Sequence, residues 1–163
     1  WLCAPFGTGF LYLKKEKIPQ LWTLFSSDDP DGGDIRKFES LGTRSFPAEQ
    51  GIGNAIEFHE AIGMERKQAR LHFLKKYWIE KVQDVSGIVL YTSLLPNYSC
   101  ALATFGITGK EPSAISKVLF DKYRIHTTTI EKEGVKGIRV TPHVYTSLGN
   151  LDKLVEAIRS MSI

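Results

Sequence analysis

Residues 87–163 repeat one rhythm twice: two short apolar runs, then a helical stripe. The runs 87–92 and 101–107 read as strands, because their β-branched and aromatic residues suit a pleated surface, and Pro96-Asn97 marks a turn between them. Pro112 opens a helix, since proline is tolerated in a first turn, and Ile115, Val118 and Leu119 face inward from it. Residues 125–130 and 137–141 supply two further strands, the second stopped by Pro142. A last helix starting near Ser147 or Asn150 sets Leu151, Leu154, Val155 and Ile158 on one stripe. The pattern is ββαββα. It predicts an α/β chain (an α+β small domain) with an antiparallel-type sheet and helices on one face.

Upstream the signals are sparser. Pro5, Gly7 and Gly9 punctuate a turn, and the apolar run Phe10-Leu11-Tyr12-Leu13 predicts a strand covered on both faces. The polar stretch 26–37 is the best candidate for a boundary loop. From Pro47 to Ile62 the period turns helical, with Ile52, Ala55, Ile56, His59 and Ile62 on one face and Gly63 as a terminal cap. A second helix carries Leu71, Leu74, Trp78 and Val82 at spacings of three and four.

At 163 residues a folded chain buries about 70% of the surface its unfolded form exposes, so one sizeable core is possible. The 21 basic and 18 acidic residues are dispersed, and no basic run suggests a nucleic-acid surface. No apolar stretch approaches the roughly 20 residues of a membrane helix. Cys3 and Cys100 cannot form a disulfide framework and suit a reducing, cytoplasmic setting.

Among chemical motifs, His59, His72, His126 and His143 show no paired-ligand spacing. The acidic loop 28–34 fails the calcium-loop register: with Gly32 at the turn, Ser27 and Phe38 fall on the first and last ligand positions. No serine lies in a nucleophile elbow, and Gly7-Thr8-Gly9 is too short for a dinucleotide fingerprint. Two places carry more. Gly42-Thr43-Arg44 precedes a helix with a hydroxyl and free N–H groups, which fits either phosphate binding or plain capping. Arg139 alternates with the apolar Ile138 and Val140, so it points to the opposite sheet face. A guanidinium there fits either bidentate carboxylate recognition or an exposed edge-strand residue.

Taken in order, these segments resemble a known family. Residues 1–12, from Trp1-Leu2-Cys3-Ala4 to Leu11-Tyr12, are similar to the segment that follows the cofactor-bearing lysine in class V aminotransferases, a family that includes cysteine desulfurases and isopenicillin N epimerase-like proteins. Glu39-Ser40-Leu41-Gly42-Thr43-Arg44 resembles the family's glycine–threonine phosphate loop, and residues 138–147 resemble its carboxylate-binding signature. Thr146 stands where the family usually has Asn, and Leu148-Gly149-Asn150 replace its acidic residues.

The resemblance implies a pyridoxal-phosphate-dependent, cytoplasmic homodimer of fold type I that acts on an amino acid. Arg139 and His143 would bind substrate. Gly42, Thr43 and Arg44 would bind the cofactor, with Thr43 reaching the phosphate held by the partner subunit. Residues 1–45 would be the last strand and phosphate loop of a larger domain, 46–63 a connecting helix and 64–163 the small domain. The cofactor lysine would directly precede Trp1, so these residues alone are expected to be inactive. Cys100, at the start of an apolar strand, reads as a buried, inert thiol and not a desulfurase nucleophile. Residues Trp1, Phe6, Phe10, Leu11, Leu21 and Trp22 are then expected to be exposed. The competing reading is a non-catalytic, stand-alone α/β ligand-binding or oligomerisation module, in which those residues would join a closed core.

Overall fold

The computed structural model describes residues 1–162 as two compact units, Trp1–Ala61 and Ile62–Ile163. In the first unit, 3₁₀ turns at Lys15–Gln20 and Ile35–Glu39 lead to helix α1, Phe46–Ile62. In the second, α2 (Met64–Glu80) is followed by β1 (Ile88–Leu90), β2 (Ala103–Ile107), α3 (Pro112–Tyr123), β3 (Thr128–Lys132), β4 (Val135–Val140) and α4 (Leu148–Met161). Gly63, at φ +86, separates α1 from α2 in a backbone conformation that suits glycine.

The four strands form one antiparallel sheet in the order β1-β2-β4-β3. Period-two alternation sorts its faces. Ala103, Phe105 and Ile107 of β2 and Ile138 and Val140 of β4 join the core. Over them pack Leu74, Trp78 and Ile79 of α2, Ile115 and Leu119 of α3, and Leu151, Leu154 and Ile158 of α4. Trp78 and Phe105 are fully buried and meet edge to face, with ring centroids 5.9 Å apart. Fully burying each such large apolar side chain contributes about 1.5–3 kcal/mol. The ββαββα order and the helix-covered face therefore match the sequence expectation.

Boundaries moved where hydrogen bonding overrode composition. The residues 125–127, although β-branched in part, lie outside the ladder; β3 starts at Thr128, and the register Lys132↔Val135 is fixed by the Glu133-Gly134 turn. Both turn residues have positive φ, 51° and 82°, the primed-turn geometry that matches strand twist. Residues 10–13 are not a strand: no neighbouring strand in the unit offers a ladder, and the apolar run alone cannot make one. Cys100 is exposed, not buried, because it sits in the bend ahead of β2 and not in the strand.

Trp1, Phe6, Phe10, Leu11, Leu21 and Trp22 are all exposed, Phe6, Phe10 and Trp22 almost completely. The expected face of α1 is partly realised: Ala55 and His59 are buried, whereas Ile56 is exposed.

Candidate functional site

The sheet face away from the helices carries the substrate-side candidate. Arg139 sits on β4, an interior strand, directly between Thr104 of β2 and Thr128 of β3. It is not an edge-strand residue. Its Nε is buried and has no hydrogen-bond partner among the described residues. A buried guanidinium N–H without an acceptor is costly. A carboxylate is the natural complement, since it accepts two parallel bonds from the planar fork.

The next outward pair beside Arg139 is Gly106 and Gly137. A Cβ on Gly137 would lie 2.4 Å from the Phe105 carbonyl oxygen, and one on Gly106 would lie 2.7 Å from that of Lys136 and 3.1 Å from the Tyr91 ring. Only glycine fits either place. Tyr91 therefore lies over a side-chain-free stretch of sheet in the row next to Arg139.

The loop after β4 is held from two sides. Within it, the His143 N–H donates to Thr146 Oγ1 at 2.9 Å, and the Thr146 N–H donates to the His143 carbonyl at 2.8 Å. Thr146, the departure from the usual Asn, thus closes the turn with its hydroxyl. Across the unit, Arg70 of α2 donates to the carbonyls of Thr146 (3.0 Å) and Val144 (3.5 Å). His143 stacks on Tyr145 with centroids 4.3 Å apart. Ser147 then caps α4, its Oγ accepting from the Asn150 N–H at 3.2 Å. So the final cap survives the altered sequence. Arg70 and Tyr91 are the residues that sequence reading missed; neither belongs to a motif, and their roles exist only through contacts with distant segments.

In the first unit, Gly42-Thr43-Arg44 leads into α1 in an exposed loop. Gly42 has φ +76, and the N–H groups of Gly42, Thr43 and Arg44 enter no backbone hydrogen bond among the described residues. The Ser45 carbonyl accepts from the N–H groups of Ala48 and Glu49, both at 3.1 Å, which starts the helix without using the loop's donors. Arg44 Nε lies 3.3 Å from Glu49 Oε1. Free N–H donors, a hydroxyl and a cation ahead of a helix fit a phosphate.

An antiparallel sheet covered by helices on one face, with the Arg139 guanidinium on the other, defines an α/β domain. The family model for aminotransferase class-V matches residues 2–150. The chain belongs to the class-V aminotransferase family. It is 25% identical over 178 residues to isopenicillin N epimerase of Amycolatopsis lactamdurans, covering 99% of this chain and 45% of that protein. It is 26% identical over 132 residues to a probable cysteine desulfurase of Halalkalibacterium halodurans, covering 72% of this chain and 30% of that one. Among solved structures, the cysteine desulfurase CsdA of Escherichia coli shares the fold with a TM-score of 0.81 at 17% identity, over 99% of this chain and 45% of that chain. A C-DES mutant with glycine covalently linked to its PLP cofactor matches with a TM-score of 0.75 at 18% identity, over 98% of this chain and 43% of that one. The chain thus spans about 45% of the length of the epimerase relatives it matches.

Proposed function

We propose that these residues are the C-terminal part of a pyridoxal-phosphate-dependent enzyme that acts on an amino acid through a bond at its Cα. The observation that carries this reading is Arg139, on an interior strand, whose Nε is buried and has no hydrogen-bond partner among the described residues. It binds the substrate α-carboxylate, and the threonines on either side leave no competing negative charge. His143, on the Arg70-clamped loop, lines the substrate rim. Gly42, Thr43 and Arg44 offer backbone N–H groups, a hydroxyl and a cation to the cofactor phosphate, across a homodimer interface.

When bound, pyridoxal phosphate supplies the electron sink that stabilises negative charge at Cα. The chain's own contribution is orientation: a carboxylate gripped bidentately fixes which Cα bond lies toward that sink. The reaction is a transamination, an epimerisation or a C–S cleavage, and sequence beyond these residues decides among them. That sequence also supplies the cofactor-bearing lysine, so the 163 residues alone are inactive. In this reading residues 1–45 finish the large domain, 46–63 connect, and 64–163 form the small domain. Two free, exposed cysteines suit a cytoplasmic enzyme. Among the described residues no helix is long and apolar enough to cross a membrane.

The test is Arg139→Lys in the enzyme that contains this chain. It keeps the charge but loses the planar fork, so affinity for the amino acid should fall about tenfold or more. Unchanged affinity would remove Arg139 from the site. Treating the 163-residue chain with pyridoxal phosphate and then borohydride should leave no single lysine fully labelled; complete labelling at one position would place the cofactor lysine inside the chain.

A further inference from the structure

Lys75 on α2 is the least expected charge in the molecule. Its side chain is only 3% exposed, and no carboxylate lies within ion-pairing distance of it among the described residues. Its ammonium donates to Ser99 Oγ, which in turn donates to the Ser93 carbonyl at 2.5 Å. One hydroxyl accounts for one of three N–H donors. Burial pushes the Lys75 pKa below the usual lysine range, with the Cys100 thiol acting against that shift. An ammonium kept from water with so little compensation costs stability that an anion would restore.

The same lysine lines a cavity of about 310 Å³ whose apolar wall is Ile79, Leu94 and Pro96, with Gln83 beside it and His72 and Lys76 as further basic groups. The acid at its rim, Glu80, is engaged by Lys76 at 3.5 Å. The volume is at the lower end for a small-molecule pocket, and an apolar wall with one buried charged group is the common plan of such sites. It lies within the second unit, and its lining shares no residue with the Arg139 face.

We propose that this cavity binds a small carboxylate with a short apolar tail, the carboxylate resting on the Lys75 ammonium and the tail against Ile79, Leu94 and Pro96. The carboxylate takes the N–H donors that Ser99 leaves unused. The tail replaces water along the apolar wall, so neither half of such a ligand is sufficient alone.

Hexanoate is the probe and hexanol its uncharged control. Titrated into the chain, hexanoate should give a saturable shift of the Lys75 side-chain nitrogen resonance and of the Leu94 amide, with hexanol binding about tenfold or more weakly. Lys75→Met keeps the stem and removes the charge, so it should abolish the preference for hexanoate while hexanol still binds. Three results would each overturn the proposal: no saturable hexanoate shift in the unaltered chain, equal affinity for hexanoate and hexanol, or undiminished hexanoate affinity in Lys75→Met. The first two need no variant to fold. None of them bears on Arg139, so this site and the proposed enzymatic one stand or fall separately.

Discussion

Asp34 is the plainest case of a single side chain setting local structure. Its carboxylate caps the 3₁₀ turn Ile35–Glu39 by accepting from the Arg36 N–H at 2.9 Å, and it pairs with the Arg36 guanidinium. The Arg36 side-chain and backbone hydrogen bonds hold its pKa down to about 2 from the ordinary 3.8. A carboxylate depressed in the folded state contributes stability above its unfolded pKa and loses it as the pH falls through the folded value. The turn should therefore hold down to about pH 4 and loosen between there and about pH 2. A carbon-detected titration of Asp34 checks this, and a midpoint near 3.8 would dissolve the assigned pairing. Asp34→Asn should remove that pH dependence from the Arg36 amide resonance. The acidic loop, which fails the calcium-loop register in sequence, thus uses this carboxylate for capping.

At the scale of elements, the loop from His143 to Thr146 depends on α2 as much as on its own turn. Arg70→Ala should leave two carbonyls without their cationic donor and cost about 1–3 kcal/mol, read by chemical denaturation. It should also broaden the His143 and Tyr145 resonances, and if these remained unchanged, Arg70 would not be holding the loop. Trp78→Ala, which empties the middle of the helix–sheet interface, should cost about 3–5 kcal/mol. The difference between these two residues explains what the sequence made legible. Trp78 announces its place through a three-and-four spacing with Leu71, Leu74 and Val82, and all four are buried. The amphipathic α4 and the proline-opened α3 were legible for the same reason. Arg70 has no such signal, because its partners lie more than seventy residues away. The limits of β3 depended on a hairpin register set by Glu133-Gly134, which composition around residue 125 cannot report. The Arg139 face was legible from alternation alone. Tyr91 above Gly106 was not, since a glycine reveals a close approach only when its cross-strand neighbours are known.

The two units of the molecule are unequally built, and this unevenness carries the last prediction. In Ile62–Ile163 a contiguous cluster joins α2, β2, α3, β4 and α4, including Trp78, Phe105, Leu119 and Ile158 with no measurable exposure. In Trp1–Ala61 the buried apolar side chains are Ile18 and Ala55, beside the buried polar Lys37 and His59. Lys37 is held by the Pro30 carbonyl at 2.8 Å, and His59 Nε2 lies 2.8 Å from the Leu2 carbonyl. Those contacts cannot offset the conformational entropy of ordering sixty residues, about 1–2 kcal/mol each for the backbone alone. Local opening should accordingly be far easier in the first unit. Brief trypsin treatment should cut at Lys14, Lys15, Lys17, Arg36 and Arg44 before any site beyond Lys81, leaving a product that starts at Ser45, just ahead of α1, and retains α4. Amide exchange should show the same order, with Leu74, Phe105 and Ile158 slowest. If another surface in the complete protein covers Phe6, Phe10, Trp22 and Leu24, the early cuts should slow there, because the exposed apolar groups would then be buried. Equal protection of both units in the isolated chain would contradict this account, since it would require a core in the first unit that its side chains do not supply.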